Sequence, residues 1–302
     1  MDNLKQIILD TDIGMDCDDA AAIGVLIKAQ KEGKCEVKAI TAATARDGAV
    51  SSVRSIYDYY GMPVPALGKL KSTFLKCDHV NYYARATMEK FGCSDEADDA
   101  LRVLRLTLAE ATGKITLVTI GPLTNIADLL RSGADDISPL SGVELVREKV
   151  DEAFVMAGSF AGNYPDGKAF REWNVLQDIN AAREVCELIP VETIFLPHEV
   201  GNKIFTDQLA PDNPITFCMC TFCEEWAKKN SDGFRRESWD PVTCMISLGK
   251  KDSKFVFSDT GRVAVTPEGM TEFTPDPNGK MRYTSVKSDL AAIEKELNEI
   301  LK

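Results

Sequence analysis

Apolar residues recur along this chain in two alternating rhythms. Short apolar runs at Gln6–Leu9, Glu36–Thr41, Ile115–Ile120, Ala153–Ala157 and Thr193–Leu196 read as strands. Between them, spacings of three and four predict helices over Asp19–Gln30, Ala49–Tyr60, Asp98–Ala111, Leu123–Arg131 and Ile179–Leu188. Such alternation predicts an α/β fold, an open and mostly parallel sheet flanked by helices. After Asp240 the pattern shifts to shorter strands around Arg262–Val265 and Arg282–Thr284, and Leu290, Ile293, Leu297, Ile300 and Leu301 predict a terminal amphipathic helix. No repeat, low-complexity tract or Pro/Gly/Ser linker divides the sequence, so residues 1–302 are expected to form a single domain.

The balance of charge narrows the ligand. A net charge of −12 argues against a long phosphate-backbone partner, because nucleic-acid binding rests on Lys and Arg neutralising phosphates. Lys76, Arg85, Lys90, Arg102 and Arg105 are scattered singly, and a solvated face is the expectation for them. A small or cationic ligand is expected instead. Neither a signal peptide nor a membrane span is read from the sequence. Nine cysteines, scattered through strands and helices, suggest a reducing, cytosolic chain. Cys218, Cys220 and Cys223 lie in a segment, Ile215 to Trp226, with helical apolar spacing, so buried thiols are expected rather than a zinc site. The two histidines, His79 and His198, sit in no recognisable nucleophile motif.

The densest chemistry follows the first apolar run. Asp10-Thr-Asp12-Ile-Gly14-Met-Asp16-Cys-Asp18-Asp19 sets five carboxylates in ten positions. Like charges so close push protons onto one another, whereas a hard divalent cation holds them ionised as oxygen ligands. Helix capping would account for Asp18 and Asp19, but not for Asp10, Asp12 and Asp16 as well. A haloacid-dehalogenase-like Asp-x-Asp motif is the competing reading, and Gly14 stands where that motif continues with Thr or Val. The turn lies at the carboxyl end of a predicted strand, where open α/β sheets bind ligands.

Three later segments carry polar groups to comparable positions. Gly121-Pro122 ends the run Ile115–Ile120 and opens a helix, which can leave the Ile120 carbonyl without a ladder partner and able to ligate a cation. Gly158, Gly162, Pro165 and Gly167 mark a long loop leading through Asn163 to Glu172-Trp173-Asn174, whose carboxylate and amide suit sugar hydroxyls. Glu237-Ser-Trp239-Asp240-Pro241 opens a helical run, Val242 to Leu248, with Asp240 either its N-cap or a remote metal ligand.

Together these segments resemble the nucleoside hydrolase family, also called inosine-uridine-preferring nucleoside hydrolases. The resemblance rests on Asp10-Thr-Asp12-Ile-Gly14 with Asp18-Asp19-Ala20, on Gly121-Pro-Leu-Thr-Asn125-Ile-Ala127, on Glu172-Trp-Asn174 and on Asp240-Pro241, in the family's order. It implies an N-ribosyl hydrolase that uses Ca2+, with Asp12, Asp19, the Ile120 carbonyl and Asp240 as ligands and Asp12 also as general base. It further implies that Asp18, Asn163, Glu172 and Asn174 grip the ribose, and that the protein is a homodimer or homotetramer.

Departures from the family's pattern qualify what is expected. Asp16-Cys17 lengthens the first loop. Arg46 stands near the point where the family often has a Gly-Asn reaching the ribose, so a phosphorylated or carboxylated ribosyl substrate is one alternative. Trp239 replaces the His that pyrimidine-accepting members carry before the late Asp, and indole has a donor N–H but no proton to give at neutral pH. Trp239 is therefore expected to stack on a purine, with Tyr82 and Tyr83 considered for the opposing face. A non-catalytic calcium- and sugar-binding protein of the same fold is the other alternative.

Overall fold

The computed structural model describes residues 4–71, 83–161, 170–249, 254–287 and 289–302. The first apolar run forms β1 (Lys5–Thr11), whose residues from Ile7 onward are all buried, and the chain turns through the acidic loop into α1 (Asp18–Lys31). The same alternation continues through β2 (Cys35–Ala42), α2 (Ala49–Tyr59), β3 (Ala66–Lys69), α3 (Tyr83–Phe91), β4 (Asp98–Asp99), α4 (Ala100–Glu110), β5 (Ile115–Thr119) and α5 (Thr124–Arg131). Then come α6 (Gly142–Lys149), β6 (Val150–Met156), α7 (Trp173–Gln177), α8 (Ile179–Leu188), β7 (Glu192–Leu196), α9 (His198–Gly201) and β8 (Phe205–Thr206). The remainder is α10 (Pro214–Glu225), β9 (Arg236–Glu237), α11 (Trp239–Leu248), β10 (Phe255–Phe257), β11 (Gly261–Val265), β12 (Thr271–Pro275), β13 (Met281–Val286) and α12 (Leu290–Leu301).

The main sheet runs β12-β11-β13-β7-β6-β5-β1-β2-β3-β4, with β10 against β13. From β13 to β4 every neighbouring pair is parallel, while β11, β12 and β10 add antiparallel edges. Strands covered on both faces lose the polar-outward alternation, which is why β1, β5 and β6 read as nearly continuous apolar runs. One buried cluster packs α1, α10, α11 and α12 on one face, and a second packs α4, α5, α6 and α8 on the other. Gly24 in α1 keeps that face close, since a Cβ there would lie 2.7 Å from Ile215 Cδ1 and 2.9 Å from Leu301 Cδ2.

Two expectations change. The helix expected from Asp98 starts at Ala100, because the Asp99 side chain caps it by accepting from the Arg102 amide at 3.2 Å, while Asp98 and Asp99 pair with β3. Arg105 is not on a solvated face. It is buried, donating to Asp135 at 2.7 and 2.8 Å and to the carbonyls of Ser138 and Leu140 at 3.3 and 3.1 Å. The guanidinium so close pulls the Asp135 carboxyl down to about 2. A lone Arg in an apolar helix stripe can be buried when one loop supplies all its acceptors, and residues 132–140 do so here.

Candidate active site

From β1 the chain builds the sheet outward through β2, β3 and β4, then returns to build the other side from β5. β1 and β5 therefore flank the point where strand order reverses, and Asp12 and Ile120 follow their carboxyl ends. A cavity of about 230 Å³ opens there, lined by Asp12, Asp16, Asp18, Ile120, Glu172, Asn174, Arg236, Trp239 and Asp240, with Met15, Met156, His198, Phe222 and the indoles of Trp173 and Trp226 as its apolar walls. Trp173 and Trp226 are 40% and 45% exposed, which puts them at the mouth.

Asp10 stands below this cavity and does not line it. It accepts from Thr41 Oγ1 at 2.5 Å, Asn125 Nδ2 at 2.8 Å and Thr119 Oγ1 at 3.4 Å, tying β1 to β2, β5 and α5. Burial pushes its carboxyl up to about 7 against these bonds. Asp18 and Asp19 do occupy the first turn of α1, as capping would have them, but their side chains serve other groups. One Asp19 oxygen accepts from Thr11 Oγ1 and from the Asp12 amide, and Asp18 Oδ2 accepts from the Asp240 amide at 3.1 Å. Asp240 is not the N-cap of α11. Ser238 holds that position, and Asp240 sits inside the first turn with its carboxylate in the cavity.

Carboxylate oxygens of Asp12, Asp19 and Asp240 lie within 4.8 Å of one another, and all three residues are buried. Burial first, then mutual repulsion, drives the Asp12 and Asp240 carboxyls well above the usual range, and burial takes Asp19 up to about 7. Asp12 Oδ2 and Asp19 Oδ2 are buried without a hydrogen-bond partner among the described residues. Orphaned anionic oxygens facing one another are costly alone and suit a hard divalent cation, so the donor set fits a metal ion. Ile120 lines the same cavity, and its carbonyl accepts from Asn174 Nδ2 at 3.1 Å, which leaves that oxygen a second lone pair.

Gly121 lets these two strand ends meet. A Cβ on it would lie 2.8 Å from both Asp12 Cβ and the Asp12 amide nitrogen. Gly121→Ala will therefore displace Asp12, and a displacement of about 1 Å costs about 100-fold in turnover. Steady-state kinetics beside an unchanged circular dichroism spectrum measures this, and near-native turnover would contradict the packing argument.

The acidic loop is braced from α3. The buried Tyr83 hydroxyl accepts from the Gly14 amide and donates to the Asp16 carbonyl, so this tyrosine shapes the loop and does not offer a face to a base. Gly14 has φ +106°, a conformation a side chain would strain. Glu172 is buried: its carboxylate accepts from the amides of Asn174 at 2.9 Å and of Val175 and Gly158 at 3.1 Å. Burial raises its carboxyl to about 7 in spite of those bonds. The Asn174 amide also donates to the Met156 carbonyl at 3.1 Å, leaving Oδ1 as its remaining acceptor.

Trp239 Nε1 donates to the His198 carbonyl at 2.9 Å, and the His198 ring stacks on the indole at 5.3 Å. Burial lowers the His198 pKa, which favours a neutral ring. Arg46 is buried in the loop after β2 and is not among the described residues that line this cavity. Asn163, Tyr82 and His79 lie outside the described residues. Arg236 belongs to this site without any sequence motif to mark it. It donates to Asp16 at 2.7 and 2.8 Å, and the contact joins positions 220 apart in sequence, so no local pattern could signal it. Among the described residues eight cysteines, those of the α10 segment included, are free thiols, and no helix is long and apolar enough to cross a membrane.

The chain resembles known proteins over nearly its whole length. Residues 7–290 match the family described as inosine-uridine preferring nucleoside hydrolase. No curated protein matches the chain. Among solved structures, an inosine-uridine preferring nucleoside hydrolase from Bacillus anthracis superposes with a TM-score of 0.68 at 17% identity, over 98% of this chain and 100% of that one. A purine-preferring ribonucleoside hydrolase from Gardnerella vaginalis gives 0.71 at 17%, over 98% of each chain. The type III effector protein XopQ, solved with adenosine diphosphate ribose, gives 0.69 at 15%, over 99% of this chain and 93% of that one.

Proposed function

Because the chain belongs to the inosine-uridine preferring nucleoside hydrolase family and is an enzyme of N-glycosidic bond hydrolysis, we propose that it is calcium-dependent, releases base and ribose from ribonucleosides, and favours purines. The observation that carries this reading is the triad Asp12, Asp19 and Asp240, with its orphaned oxygens, in one cavity with Glu172 and Asn174. These three carboxylates and the Ile120 carbonyl would hold Ca2+, for which an all-oxygen donor set is the usual coordination. Calcium supplies the positive charge that keeps the carboxylates ionised and makes nearby water more acidic.

The chain's own groups account for the rest of the reaction. Asp12 Oδ2, without a hydrogen-bond partner among the described residues, takes a proton from the water that attacks the anomeric carbon. Asp18, Glu172 and Asn174 orient the ribose hydroxyls; Asn163 is proposed for the same role on sequence grounds. As the glycosidic bond lengthens, the sugar gains positive charge, which the surrounding carboxylates favour. Trp239 cannot direct its N–H to the base while it donates to His198, so its contribution is an aromatic wall, shared with Phe222 and Trp226.

That wall supports the purine bias, because a larger ring buries more area against it. Inosine is expected to exceed uridine in kcat/KM by about tenfold or more, the scale of a modest difference in apolar contact. Release of reducing sugar from each nucleoside measures it, and uridine as the better substrate would overturn the bias. The cavity's acidic lining disfavours phosphorylated or carboxylated ribosyl groups. We also propose a reducing, cytosolic setting, supported by the free thiols, and a homo-oligomer, on family grounds and open to sedimentation analysis.

A further inference from the structure

We propose that Arg236, aligned by Asp16, stabilises the negative charge that develops on the departing base, in place of a leaving-group acid. The inference rests on the hydrolase reading above and names the group that reading lacks.

Leaving-group chemistry sets the requirement. When the C1′–N bond breaks, its electron pair passes to the base nitrogen, while the water oxygen bonds to C1′ and one water proton passes to the Asp12 carboxylate. The base therefore leaves carrying excess electron density, and it regains a proton only from solvent. Neither aromatic neighbour can supply that proton, since Trp239 has none to give and burial favours a neutral His198.

Arg236 is the one Lys or Arg among the described residues that line the cavity. Its guanidinium lies 5.1 Å from the ring centroids of both Phe222 and Trp239, so it sits at the aromatic end of the cavity where a base would be. Nη2 engages both oxygens of Asp16 at 2.7 and 2.8 Å, and Nη1 reaches Glu237 at 3.0 Å. Nε is buried and has no hydrogen-bond partner among the described residues. A guanidinium so clamped and still holding an unused N–H is a preorganised donor, and its charge is present at every working pH. Asp16 belongs to the lengthened first loop, and the Tyr83 hydroxyl holds its carbonyl. The extra loop residue thus has a positioning role: it orients the guanidinium.

Arg236→Met and Arg236→Lys, with Asp16→Asn, test this against two substrates. Inosine needs its base stabilised, whereas 4-nitrophenyl β-D-ribofuranoside departs as a stable phenolate. Removing one preorganised donor costs about 100-fold in kcat. That loss is expected for Arg236→Met on inosine, with a loss at least tenfold smaller on the nitrophenyl riboside. Arg236→Lys and Asp16→Asn should show the same direction with smaller losses. Retention of the calcium-induced thermal shift confirms that each variant folds with its cation site. Equal losses on the two substrates would overturn the assignment, as would Arg236→Met turnover of inosine within threefold of native. Native protein inactive on both substrates would instead overturn the hydrolase reading, and Asp12→Asn losing both equally keeps the two questions apart.

Discussion

Asp12→Asn will lower kcat by at least about 10³-fold, since it removes a general base, worth about 10² to 10⁴ in rate, and weakens a cation ligand at once. The substitution is nearly isosteric, so the backbone bond from the Asp12 amide to Asp19 at 3.1 Å should survive. What changes is the charge. The Asp12 oxygen that is buried without a hydrogen-bond partner among the described residues becomes part of a neutral amide, which can accept no water proton at neutral pH. Because Asp12 crowds against Asp19, Asp18 and Asp16, removing its charge also relieves repulsion. The metal-free variant should accordingly be at least as stable as the native protein. Calorimetric unfolding beside nucleoside turnover measures both. Turnover that persists in this variant would remove Asp12 from the role of base.

The second large effect is the response to calcium, and its size should depend on pH. Asp10 and Glu172 hold their protons up to about 7 in the folded protein, and Asp19 does likewise. In the unfolded chain such groups ionise near pH 4. Between these values the folded state binds more protons than the unfolded one, so stability of the metal-free protein falls as pH rises from about 4 to about 7. Asp12, Asp18 and Asp240 act in the same direction. A cation binds only the ionised carboxylates and reverses the cost where it is greatest. At pH 8, calcium at 100 times its Kd adds about 2.7 kcal/mol, or about 5 °C in Tm for a chain of this size. At pH 5 the increment should be less than half as large, and chelation should abolish turnover. Scanning calorimetry with calcium or chelator at the two pH values decides it; an increment that is absent, or equal at both, would remove the cation site.

Much of this architecture is legible in one dimension because its causes are local. Strands sandwiched between helices must be apolar on both faces, and this gives β1, β2, β5, β6 and β7 their runs. The short β3, β4, β8 and β9 were missed for the complementary reason: two to four residues carry too little periodicity to register. The acidic loop was legible for an electrostatic reason, as carboxylates so dense in sequence cannot avoid one another in space.

Sequence spacing alone thus determined the parallel α/β frame, the acidic loop and the segments that meet it. Tertiary structure decided which side chains face the ligand. Asp10 lies in β1 and Asp12 just beyond its end, yet the first ties β1 to β5 and α5 through Thr119 and Asn125 while the second lines the cavity. Arg46 follows a strand end as Asp12 does, yet it is buried outside the residues that line this cavity. Arg236, without a motif, reached Asp16 across 220 positions. Periodicity reports each residue's immediate neighbours along the chain, whereas a pairing of opposite charges between distant segments exists only after the helices and strands between them have packed.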